Sequence, residues 1–154
     1  MKEYLKTVDK INQTFEEFKA LVLGEVHEVR QLEQYHLTPQ QELIMAYVIR
    51  QEQRITANQI ASYLNISKSA VSQVISKLEK EGMVVRQTNQ GNRRERWICL
   101  GSKGQKYARL LEELDEQLVR KYYSKVDLED LQHVLRTMTG LVTAIKGEQR
   151  DNTF

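Results

Sequence analysis

Cysteine is almost missing from this 154-residue chain: Cys99 stands alone. A single thiol gives neither a disulfide framework nor a thiolate cluster for a structural metal, and it points to the cytoplasm as the compartment. His27, His36 and His133 are isolated and show no HxxxH or CxxC spacing, so no metal site and no cofactor are expected. Long apolar runs are missing too. None approaches the roughly 18 residues that a membrane span requires, and the first 18 residues carry charges throughout, which argues against insertion and secretion. The chain has no glycine-rich phosphate loop, no GxSxG elbow and no compact Cys/His or paired-carboxylate arrangement, so an enzyme is not expected.

Charge of one sign is scarce in the middle. Residues 54–109 hold eleven Lys or Arg against three Asp or Glu, a net +8, while the other positions hold twelve against eighteen, a net −6. A basic centre between acidic ends gives a polyanion somewhere to bind.

That centre contains the stretch around which the chain is organised, ANQIASYLNISKSAVSQVISK, residues 57–77. Ile60 and Leu64 stand four apart with Ala61 between them, and Val71, Val74, Ile75 and Leu78 form a second helical stripe. The two stripes should face each other across a turn at Asn65, a residue type that tolerates the left-handed conformation, with Ile66 plugging the corner and Ala61 allowing close approach. This is a helix-turn-helix. With the second stripe inside, Ser67, Lys68, Ser69, Ser72, Gln73, Ser76 and Lys77 form an outer face that is small, polar, basic and free of carboxylates. Such a face suits a DNA major groove: hydroxyls allow close approach, an amide can pair with adenine, and lysines meet phosphate. An ordinary solvated face would also be polar, but serine is a poor helix former and needs a reason to be there.

After Glu81 and Gly82, an expected left-handed stop, the period changes from helix to strand. Residues 83–88 and 94–100 read as a β-hairpin around the Asn- and Gly-rich turn 89–93. Arg86, Arg93, Arg94 and Arg96 decorate it, and an arginine-tipped ribbon beside a recognition helix suits the narrow minor groove. Trp97 and Cys99 alternate with Ile98 and Leu100, so one pair should face the core; Trp97 reads as packing, and Cys99 as a buried structural thiol.

The flanking segments read as helices. Apolar residues recur every seven through Val8, Phe15, Val22 and Val29, joined by Ile11, Phe18 and Leu32, which predicts one long helix over residues 4–32. Its seam is interrupted at Gly24 and Glu25, as a kink or solvated break or, less economically, as a ligand or metal site with His27 and Glu28. Thr38, Pro39 and Gln41 make a capping box for a scaffold helix with Leu43, Ile44, Tyr47 and Val48 as its buried stripe, and Thr56 with Gln59 makes another. Ser102 and Gln105 form a third such pattern before Leu110, Leu111, Leu114, Leu118 and Tyr122. Asp127 opens a last amphipathic helix through Leu131, Leu135, Met138, Val142 and Ile145, with GEQRDNTF as a frayed tail. These helices carry more apolar face than one small lobe can cover, so they should pair across a two-fold axis in a homodimer. The expected fold is mainly α with a small β-hairpin wing: a winged helix-turn-helix over 37–101, N- and C-terminal dimerisation helices over 1–36 and 102–148, and a flexible tail over 149–154.

This order of elements resembles the MarR family of bacterial winged-helix regulators over essentially the whole chain. The family often shows Asp-x-Arg in the wing and then Leu-Thr-x-x-Gly; here the same spacing reads Asn92, Arg93, Arg94 and Leu100, Gly101, Ser102, Lys103, Gly104. The resemblance puts Arg94 at the minor groove. Asn92 stands where an aspartate usually braces the wing, and Gly101 stands where a threonine caps the helix, a duty that passes to Ser102. The resemblance implies a homodimeric regulator of transcription, usually a repressor, on a pseudo-palindromic double-stranded DNA operator. It also implies a small-molecule effector held in the cleft between the dimer helices and the DNA-binding lobe. The rival reading is a protein-interaction module that uses the winged helix as a docking surface.

Overall fold

The computed structural model describes residues 1–151, with side chains as far as Glu148. The chain runs α1 (Lys2–Glu25), α2 (His27–Glu33), α3 (Pro39–Ile49), β1 (Ile55–Thr56), α4 (Ala57–Leu64), α5 (Lys68–Lys80), β2 (Val84–Thr88), β3 (Arg96–Leu100), α6 (Ser102–Lys121), a 3-10 turn (Tyr123–Lys125) and α7 (Leu128–Asp151). Among the described residues no helix is long and apolar enough to cross a membrane.

One core lies under the helix-turn-helix. Ile44 and Met45 of α3, Ile60 of α4, Val71, Ile75 and Leu78 of α5, and Met83, Val84 and Ile98 of the wing are all essentially inaccessible to solvent. Each such side chain contributes about 1.5–3 kcal/mol through burial. The stripe of α3 is turned from its expected position: Met45 is buried and Leu43 is 52% exposed. The side chain of Gln41 is also buried, because its Oε1 accepts the Thr38 N–H at 2.8 Å in the capping box. That reciprocal cap orients the first turn and carries Ile44 and Met45 inward.

The sheet has three antiparallel strands in the order β1-β3-β2, with Ile55 opposite Ile98 and Val84 opposite Leu100. Residues 55–56 thus form an edge strand. The first hairpin strand ends at Thr88 as expected, while the second begins two residues late at Arg96, leaving a loop over residues 89–95. Asn89 is buried there, and its Oδ1 accepts from the N–H groups of Gly91 at 3.0 Å and Asn92 at 3.3 Å. Ile98 faces the core. Cys99 lies opposite Val85 on the other face and is only half-buried, so the fully buried thiol expected there is not found.

Gly82 ends α5 in the left-handed region at φ 73°, as its position predicts, and Met83 N–H donates back to Leu78 O at 2.9 Å. The cap expected at the next helix is absent: Gly101 is the N-cap of α6, and no side chain caps it. Ser102 lies already within the first turn. The reason is crowding, because a Cβ on Gly101 would overlap the carbonyl oxygen of Gly82 and one on Gly104 that of Met83. Backbone contact replaces the side-chain cap, with Gly101 N–H donating to Met83 O at 2.9 Å.

The N-terminal segment is two helices rather than one. Val26 takes an extended conformation (φ −102°, ψ 115°) and is almost fully buried, so helical continuity is given up for a core side chain. Polar residues around this break are engaged with one another. Tyr122 Oη donates to Glu25 at 2.6 Å, Gln117 donates to Glu28, and His27 pairs with Gln31. The carboxylate acceptor holds the Tyr122 phenol above its ordinary pKa. Among the described residues no group of His, Cys, Asp and Glu could hold a metal ion.

Both long terminal helices present bare apolar stripes. Val8, Ile11 and Phe15 on α1 and Leu135, Met138, Val142 and Ile145 on α7 recur at spacings of three and four and are exposed. Helix α7 continues through Gly147 to Asp151, beyond the start of the expected tail, and residues 152–154 lie outside the described residues.

Candidate nucleic-acid interface

The interface begins with how α5 is aimed. Thr56 caps α4, its Oγ1 accepting the Gln59 N–H at 3.3 Å. Asn65 then turns the chain at φ 52°, ψ 46°, and Ile66 N–H donates to Ala61 O at 3.1 Å. Ser67 caps α5 through its Oγ, which accepts from the Ala70 N–H at 3.1 Å. The left-handed corner at Asn65 and the buried Ala61 set the crossing of the two helices as the sequence predicts.

With Val71, Val74, Ile75 and Leu78 buried, the opposite face of α5 is presented outward. Ser67, Lys68, Ser69, Ser72, Gln73 and Lys77 are exposed. Ser76 is half-buried and engaged: its Oγ donates to Ser72 O at 2.9 Å and accepts from Arg86 Nη2 at 3.0 Å. Arg86 is engaged as well. Its guanidinium pairs with Glu79, and its backbone N–H donates to Glu79 Oε1 at 3.2 Å. The wing arginines therefore divide into two kinds, with Arg86 binding strand to helix while Arg93, Arg94 and Arg96 stand exposed.

Part of this set shares one groove of about 590 Å³ between helix and wing, bordered by Lys68, Ser72 and Ser76 on one side and Arg86, Arg94 and Arg96 on the other, while Ser67, Ser69, Gln73, Lys77 and Arg93 lie outside it. With Arg86 paired to Glu79, the charges of Lys68, Arg94 and Arg96 around a concave surface concentrate positive potential. One carboxylate lies within it: Glu95 accepts a hydrogen bond from Asn58 of α4, which ties the root of the wing to the first helix of the pair. Asn92 Oδ1 accepts from the Arg94 N–H at 3.1 Å and so sets the backbone that carries Arg94.

Residues 35–95 match the family model described as MarR family. An uncharacterised HTH-type transcriptional regulator of Bacillus subtilis (strain 168), YvnA, is 32% identical over 89 residues, which cover 56% of this chain and 57% of that protein. Over residues 35–95 the chain is similar to MarR family proteins. The match spans little more than half the length of that relative. Among solved structures, AbsC, a MarR family transcriptional regulator from Streptomyces coelicolor, superposes with a TM-score of 0.64 at 20% identity, covering 92% of this chain and 95% of that one. MepR of S. aureus in its DNA-binding conformation gives 0.65 at 18% identity over 90% and 98% of the two chains. The S. aureus MepR–DNA complex gives 0.60 at 19% identity over 86% and 96%. Likeness at such identities shows the MarR fold, a winged helix-turn-helix flanked by long helices.

Within this MarR fold, sequence reading missed the residues that hold the interface together. Glu79, Asn58 and Glu95 make contacts across elements, and Asn89 braces the wing loop from within. Glu79 carried a signal, since it is the first carboxylate after a long stretch without any. Asn58 and Glu95 lie 37 residues apart, and no local spacing links them.

Proposed function

We propose that this protein is a sequence-specific, double-stranded DNA-binding transcriptional regulator that works as a homodimer in the cytoplasm. The observation that carries the reading is the groove where the carboxylate-free face of α5 meets the exposed wing arginines. Ser69, Ser72 and Gln73 would meet base edges, Ser67 and Lys68 would hold the leading end of α5 to phosphate, and Lys77 would follow the backbone. Arg93, Arg94 and Arg96 would reach the minor groove, where electronegative potential favours arginine. Arg86 and Ser76 serve by holding wing and helix in one arrangement.

Residues 37–101 form the DNA-binding lobe in this reading, with 1–36 and 102–148 forming the dimer bundle. The exposed stripes on α1 and α7 supply its apolar surface. Two copies related by a two-fold axis place two recognition helices on half-sites about one helical turn apart, roughly 34 Å, so the operator is pseudo-palindromic. Repression follows from occupying such a site. A cavity of about 880 Å³ between the end of α3 and α6 joins apolar Ile49, Leu100, Leu111 and Val119 to three arginines and three carboxylates, and it suits a small amphipathic effector. Such a ligand releases DNA to the extent that it favours the non-binding arrangement.

Selection from random duplex pools at two salt concentrations tests the reading. An inverted repeat whose affinity falls as salt rises is the expected result. No retention of any duplex at low salt would overturn it in favour of a protein-docking module.

A further inference from the structure

From Gln132 to Glu148 every residue of α7 is exposed except Lys146. The helix that carries the bare apolar stripe comes back to the lobe at this side chain. Lys146 Nζ donates to the backbone carbonyl of Tyr63 at 2.8 Å and lies 4.5 Å from the centre of the Tyr63 ring. That ring stacks on Tyr47 of α3, with centroids 4.1 Å apart and planes 20° from parallel. Tyr63 lies in the last turn of α4, two residues before the left-handed corner. Its carbonyl is among the last four of the helix, which have no partner within it, and this end of the helix carries partial negative charge. An ammonium placed there meets an orphan acceptor, the favourable end of a dipole and a ring face together.

We propose that Lys146 is a positioning residue for operator recognition. By joining α7 to the carboxyl end of α4, it fixes the tilt of the helix-turn-helix on the long helices and hence the separation of the two recognition helices. The inference rests on the reading of the protein as a dimeric DNA-binding regulator. The lever arm is long. Lys146 lies 18 residues along α7 from Leu128, about 27 Å at the α-helical rise. A tilt of roughly 10° about the root of α7 moves a point that far away by about 5 Å, more than the ~3.4 Å between successive base pairs. Without the tie, the lobe is held to α7 through α6 and the turn at 123–125, and half-sites one base pair nearer or farther come within reach.

The test uses the full-length protein with Lys146→Ala, Lys146→Met and Lys146→Arg. Affinities are measured for the inverted repeat selected by the unsubstituted protein, for the same repeat with one central base pair added or removed, and for an isolated half-site. The unsubstituted protein should lose about tenfold or more on either spacing change. Lys146→Ala and Lys146→Met should lose less than about threefold, with unchanged half-site affinity. Lys146→Arg should restore discrimination, because a guanidinium can donate to the carbonyl and lie on the ring. An unaltered spacing profile in Lys146→Ala overturns the proposal, as does an equal loss on every duplex including the half-site. Failure of the unsubstituted protein to bind any duplex overturns the dimeric regulator reading itself, and that arm stands apart from the variants.

Discussion

Arg86 on β2 grips Glu79 in the last helical turn of α5 at two points, its backbone N–H on one carboxylate oxygen and its guanidinium on the other. The same guanidinium reaches Ser76 Oγ at 3.0 Å and Ser72 O at 3.4 Å, so it spans the outer edge of the recognition helix. Because its charge is already paired, Arg86→Met should behave unlike removal of a phosphate-binding cation. Side-chain exposures of 22% and 38% weaken the ion pair through solvent screening. The substitution should therefore cost about 1 kcal/mol in urea unfolding. Affinity for the selected operator should fall, with the slope of log affinity against log salt unchanged.

Arg94 provides the contrast. It is exposed at the rim of the groove, and Arg94→Ala should weaken binding to all duplexes alike and make the salt slope shallower by about one. Gln73→Ala should instead cost about 1–3 kcal/mol on the preferred operator and relax preference at particular base pairs. Titration of selected and scrambled duplexes at several salt concentrations separates the two effects. If the double substitution binds as tightly as the unsubstituted protein, the reading surface is wrongly placed.

Gly101→Ala and Gly104→Ala test the close approach of α6 to the start of β2. Each added Cβ meets backbone, which cannot rotate away as a side chain can. Either change should cost about 3 kcal/mol, the upper part of the usual range for overpacking. Gly140→Ala, where an added Cβ meets nothing within 4 Å, is the control and should stabilise α7 by up to about 1 kcal/mol.

Leu135→Glu with Val142→Glu places two carboxylates on the bare stripe of α7. Both positions are exposed within one chain, so a monomer should tolerate them. Sedimentation should show the dimer replaced by monomer, with affinity for the inverted repeat falling to that of an isolated half-site. An unchanged dimer mass would place the pairing surface elsewhere.

What the sequence disclosed follows the range of the forces involved. Thr38, Thr56, Asn65 and Gly82 act on backbone groups within a few residues, and all four perform the duties that their positions predict. The periodic stripe of α5 was legible for the same reason. Leu43 and Met45 exchanged places because the phase of a short, apolar helix is set by what packs on it, and α3 is apolar on several sides. Ser102 looked like a cap because its spacing to Gln105 is right, but the backbone of Gly82 and Met83 had already filled that position. At the site, local spacing revealed which cations lie near the wing but could not show that Arg86 is held by Glu79. That distinction exists only once β2 lies against α5.

Thr56 is paired with Trp97 as the last residue of β1 and, through its Oγ1, accepts the Gln59 N–H in the first turn of α4. Strand and helix thus meet in one residue, with no spacer to bend. Sliding β3 along β1 by one position would turn the strand's side chains over and pull away the hydroxyl that caps the helix. Wing and helix-turn-helix therefore travel together as one tool head, and accommodation to the curvature of a particular duplex has to come from the shank, the long helices that carry it.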